Sequence, residues 1–84
     1  MLAEGLWTEV KVGGEHLHLF AEHNAQGVQA SLYNVNAKNW IAPSETVDDI
    51  QQGMTRAMAH ADAYLKQTAN IELPLLEWKQ ARSI

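Results

Sequence analysis

Between residues 6 and 21 two adjacent glycines, Gly13 and Gly14, separate two runs in which apolar and polar side chains alternate. Two-residue hairpin turns require positive φ, which glycine adopts without steric cost. The pair therefore predicts a tight turn, and a tight turn leaves no slack in the pairing. Val12 must face Glu15, Val10 must face Leu17, Thr8 Leu19 and Leu6 Ala21. Those residues form one face of the hairpin. On the other, Lys11 pairs with His16, Glu9 with His18 and Trp7 with Phe20, setting charge beside charge and ring beside ring. Turn chemistry and alternation are independent signals, and here they agree.

The sheet continues beyond the hairpin. Residues 23–27, HNAQG, read as a second turn. With His23 to Gln26 as its loop, residues 28–35 form a third strand that carries Val28, Ala30 and Leu32 inward and Gln29, Ser31 and Tyr33 outward, with Tyr33 across from His16. Asn34, Asn36 and Asn39 mark a third turn, and residues 40–42 can form only a short fourth strand before Pro43.

The period then changes. Over residues 44–69, Val47, Ile50, Met54, Ala57, Met58, Ala61 and Leu65 recur at intervals of three and four, which predicts one long amphipathic helix. Ser44, or a capping box of Thr46 with Asp49, would start it just after Pro43, and Asn70 would close it in a left-handed cap. Asp62 stands four residues before Lys66, the favourable order for an ion pair. Gly53, Ala57 and Ala61 make a small-residue edge on which a backbone can approach closely, from the helix's own sheet or from a partner helix. Gly53 in particular needs a reason, since an interior glycine costs ~1 kcal/mol relative to alanine.

The tail is too apolar for solvent. Ile71, Leu73, Leu75, Leu76 and Trp78 must dock on the domain's own core or on a second subunit, and Pro74 suggests an extended piece followed by a helical turn or two over 74–82. The expected fold is α+β: an antiparallel meander of three to four strands, then one long helix on one sheet face, then a short apolar C-terminal segment or helix. Residues 1–84 make a single domain, with 1–5 frayed and 70–84 as an apolar extension. This strand and helix order hosts unrelated functions, so no family is assigned from it.

Size narrows the functional classes. A chain of 84 residues buries only about 60% of its unfolded surface, and 12 of its apolar residues are alanines, so the core is thin and a partner subunit would help. There is no cysteine, hence neither a disulfide framework nor a thiolate metal site. No apolar run reaches the ~20 residues of a membrane span, and MLAEGLW lacks the basic-then-apolar pattern of a signal peptide, so a cytoplasmic protein with no membrane partner is expected. The net charge is -4 and the six basic residues are scattered, which argues against a nucleic-acid partner.

Two groups of residues carry chemistry. His16 and His18 point the same way from one strand, and with Glu9 they are candidate metal ligands. Composition alone would place two histidines on a polar sheet face, so no metal or cofactor is assigned. Ser31 near His18 lacks a nucleophile elbow and an oxyanion donor, and the glycines form a hairpin and not a phosphate loop, so no catalytic residue is assigned and an enzyme is not expected. The second group is the ring cluster Trp7, Phe20 and Tyr33 interleaved with His16 and His18. Large rings on an open sheet face are what a sheet shows when another surface covers it. The preferred expectation is a non-enzymatic interaction module, a homodimer joined through this face, the C-terminal segment or both. The alternative is a platform for a small molecule or an extended peptide on Trp7, Phe20 and Tyr33, and a more distant one is a hydrolytic metal site at His16 and His18. His23 and His60 receive no partner and no role.

Overall fold

In the computed structural model, which describes residues 4–41 and 44–82, Gly13 and Gly14 stand at φ 57° and 82°. They close the turn between β1 (Glu4–Val12) and β2 (Glu15–Asn24), and the expected partners from Val12 with Glu15 to Leu6 with Ala21 all occur in register. Glu4 and Gly5 belong to β1, not to a frayed end, while residues 1–3 lie outside the described residues.

The second turn is tighter than its sequence suggests. Asn24 faces Gly27, so the loop is Ala25 and Gln26 alone, held by the Gln26 N–H donating to Asn24 Oδ1 at 2.9 Å and by Gly27 at φ 138°. The third strand, β3 (Gly27–Asn34), therefore slides by two residues and brings Tyr33 opposite His18 instead of His16. A slide of two preserves the pleat. Val28, Ala30 and Leu32 remain on the core side, each at 0–1% exposure.

The outer edge of β3 is covered in two pieces. β4 (Asn39–Trp40) pairs with Tyr33 and Asn34, and β5 (Glu45–Val47) pairs with Val28 to Ala30. Residues 45–47 thus belong to the sheet, where periodicity alone puts the first turn of the helix. The reason is non-local: β3 presents unpaired backbone groups at that edge, and an extended 45–47 satisfies them. The helix, α1 (Ile50–Ala69), starts at Asp49 and not at Ser44; the Asp49 carboxylate accepts from the Gln52 N–H at 2.8 Å, and the Gln52 side chain takes the Asp48 N–H at 3.3 Å. Asn70 closes it at φ 54°, as expected, and Asp62 meets Lys66 at 3.1 Å.

α1 lies across β2 and β3 with Gly53, Ala57, Ala61 and Leu65 buried against them. A Cβ added at Gly53 would stand 2.8 Å from Val28 Cγ1 and 3.0 Å from the Ala21 Cβ. Small residues on this stripe let the helix axis approach the sheet, and the core of Val10, Leu17, Leu19, Ala30 and Leu32 closes beneath it.

The tail follows a different course from the helical one expected. Residues 70–78 carry no regular structure, and β6 (Lys79–Arg82) adds antiparallel to β1 along Glu4 to Trp7. Ile71, Leu73, Leu76 and Trp78 pack against the core, while Leu75 is fully exposed. Buried Thr8 anchors the passage, its Oγ1 donating to the Glu77 carbonyl at 2.9 Å. Once that bond sets the approach, the open edge of β1 takes Lys79–Arg82 as a strand, beginning two residues on. Among the described residues the sheet has six strands in the order β4-β3-β2-β1-β6, with β5 beside β4 on β3. The molecule is an α+β fold with α1 and the tail on one face of the sheet. Among the described residues no helix is long and apolar enough to cross a membrane.

Candidate interaction face and histidine cluster

The face away from α1 is built by the register. Trp7, Glu9 and Lys11 project from β1, His16, His18 and Phe20 from β2, Tyr33 from β3, and Trp40 from β4 beside Tyr33. Their rings form a continuous band. Tyr33 and Trp40 have centroids 5.0 Å apart, Trp40 and Phe20 5.8 Å, Phe20 and His18 6.1 Å, and His18 and Trp7 5.3 Å. Most meet edge to face, the arrangement that ring quadrupoles favour. At the far end the Lys79 ammonium of β6 sits 5.6 Å from the Trp7 ring, a cation–π contact. The band thus runs from one edge of the sheet to the other.

The rings are not equally covered. Trp7, His16, His18, Phe20 and Tyr33 are half-buried by one another, whereas Trp40 is 58% exposed. Sequence patterning does not single out Trp40 or Lys79. Trp40 is legible there only as part of a two- or three-residue strand, and its face depends on the Asn34 to Asn39 pairing, which the asparagine-rich turn leaves open. Lys79 falls in a segment expected to be helical.

Glu9 joins the two histidines. Its Oε2 accepts from His16 Nε2 at 2.7 Å and from His18 Nε2 at 3.2 Å, and His16 and His18 stand edge to face at 5.3 Å. These bonds hold the Glu9 carboxyl down at about 2, with nearby Lys11 adding a smaller pull. The three donor atoms lie within 4.8 Å of one another, so Glu9, His16 and His18 could hold a metal ion together. An open depression of about 340 Å³ adjoins His16, walled by Lys11, Glu15 and Asn36.

The chain matches no protein-family model, no curated protein and no solved structure. Function must therefore be argued from these residues alone.

The remaining candidates lie elsewhere. Gly53, Ala57 and Ala61 face the molecule's own β2 and β3. Of the apolar tail candidates, Ile71, Leu73, Leu76 and Trp78 lie on the core, whereas Leu75 faces solvent. Ser31 is opposite Phe20, and its hydroxyl shares a hydrogen bond with Ser44 Oγ at 3.2 Å. His60, without a partner in the sequence pattern, meets Glu45 at 2.5 Å, and Arg56 grips the same carboxylate with two bonds of 2.8 and 2.9 Å. That carboxyl too is held down at about 2, first by Arg56 and then by His60. The cluster ties β5 to α1, and its groups satisfy one another. His23 lies exposed at the end of β2.

Proposed function

We propose that this protein is a small non-enzymatic interaction module that pairs with a second copy of itself through the outer face of its sheet. The observation that carries the reading is the edge-to-edge ring band with Trp40 58% exposed at one end. A tryptophan so exposed, contiguous with Phe20 and Tyr33, resembles the anchor of an interface more than an ordinary solvated surface. The charges allow a second copy to approach: Glu9 and Glu22 share the face with Lys11 and Lys79, so it carries both signs and does not repel itself. The C-terminal segment is the weaker surface, because Ile71, Leu73, Leu76 and Trp78 are already packed on the core.

Sedimentation velocity across micromolar to submillimolar concentration tests this reading. A concentration-dependent shift from one chain to two is expected, accompanied by a change in tryptophan fluorescence as Trp40 leaves water. A sample that stays a monomer throughout overturns self-association and leaves the same face as a platform for a small molecule or an extended peptide.

A further inference from the structure

Glu9, His16 and His18 form a cluster in which three metal-ligating atoms converge on one point of the outer sheet face. We propose that these three residues constitute a binding site for a divalent transition-metal ion of the zinc class, one ion per chain. All three donors come from a single chain, so the site does not depend on self-association.

Three features of the structure support it. The first is spacing. Donor atoms around a tetrahedral zinc, each about 2.0–2.1 Å from the metal, stand about 3.3 Å from one another. His16 Nε2 and His18 Nε2 already lie 2.7 and 3.2 Å from the Glu9 carboxylate oxygen, and one ligand atom from each residue falls within 4.8 Å of the others. Small rotations of the side chains would seat an ion. The second is rigidity: both imidazoles rise from β2, and His18 is wedged edge-on between Trp7 at 5.3 Å and Phe20 at 6.1 Å, so little rotamer freedom remains to be lost on binding. The third is chemistry. Two imidazoles and a carboxylate with no thiol suit zinc, nickel or cobalt and not the soft copper(I) or the all-oxygen cations.

An ionised carboxylate only accepts, so in the metal-free protein both Nε2 atoms carry hydrogen toward Glu9. Binding must replace these N–H···O contacts by bonds to the ion: each neutral ring moves its proton from Nε2 to Nδ1, which frees the Nε2 lone pair for the metal and breaks the hydrogen bond to Glu9. Three protein donors leave a fourth coordination position for water or another ligand.

The test is a titration of metal-free protein with zinc, followed by calorimetry and by the NMR signals of its histidine rings. The chain has four histidines, which supplies internal controls. Saturable shifts confined to His16 and His18 at one ion per chain are expected, with His23 and His60 unmoved. His16→Gln and Glu9→Gln, each checked for a folded spectrum, should weaken binding by at least the ~10–100-fold that loss of even an outer-shell partner costs. His60→Gln should bind as the parent does. Absence of a saturable shift at millimolar zinc, equal movement of all four rings, or unchanged affinity in both His16→Gln and Glu9→Gln would overturn the site. Should either variant misfold, cobalt(II) added to the unmodified protein locates the ion directly: paramagnetic shifts must centre on His16 and His18, and shifts centred elsewhere refute the site.

Discussion

Gly53 shows how a single absent methyl group places an element. The missing Cβ would lie 2.8 Å from Val28 Cγ1 and 3.0 Å from the Ala21 Cβ, both on buried residues of the sheet. In Gly53→Ala, overpacking of about 1–3 kcal/mol opposes a helix-propensity gain of ~1 kcal/mol. A net loss of about 1 kcal/mol is expected in urea denaturation, and increased stability would show that the sheet yields freely there. Thr8 makes the complementary case, a buried polar group that anchors the tail through its 2.9 Å bond to the Glu77 carbonyl. Thr8→Val keeps the shape and removes the donor, so it should cost about 1 kcal/mol. Hydrogen exchange should quicken selectively in β6, whose approach to β1 that bond directs.

At the scale of elements, the start of α1 separates two capping assignments. Asp49 accepts the Gln52 N–H, whereas Ser44 lies outside the helix and bonds to Ser31. Asp49→Ala should therefore cost about 1 kcal/mol in thermal or chemical unfolding, and Ser44→Ala clearly less. The clamp of Arg56 and His60 on Glu45 gives β5 and α1 a dependence on acid. The Glu45 carboxyl is lowered from its ordinary 4.5 to about 2 in the folded chain, so its stabilisation is fully present above pH 4.5 and is lost as pH falls toward 2. The difference in melting temperature between the parent and Glu45→Gln should shrink as pH falls below 4.5 and be nearly gone near 2. What is legible in the sequence divides along the same line of local against distant causes. Gly13 and Gly14 admit one turn, and from it follow the whole β1–β2 register and the meeting of Glu9 with His16 and His18. Around Ala25 and Gln26 no such pair exists, and alternation cannot detect a slide of two, so patterning puts Tyr33 beside the wrong histidine. Ser44, Thr46, Asp48 and Asp49 can all begin a helix; the bare edge of β3, fifteen or more residues away in sequence, decides among them. Trp40 and Lys79 join the ring band through pairings of β4 and β6 that no nearby residue announces.

For the whole molecule, the proposed self-association rests on the ring band. Trp40 is 58% exposed, so Trp40→Ala should leave the fold's melting temperature within a few degrees while removing the proposed anchor. A loss of about 2 kcal/mol in association, roughly thirtyfold in dissociation constant, is expected in sedimentation equilibrium. An unchanged constant would place the contact away from Trp40. The edges of the sheet bear on what such an assembly can become. One edge is broken into β4 and β5, of two and three residues, and the other is extended only by the four residues of β6. Among the described residues, the β4 and β5 edge presents only short strands for sideways addition, and β6 covers the Glu4 to Trp7 part of the other edge. With the opposite face already occupied by α1 and the tail, the proposed stacked pair would cover the ring band of both members. If the outer face is the contact, the proposed assembly closes on itself: the mass should plateau at two chains as the concentration is raised, and growth beyond two would point to a second contact surface.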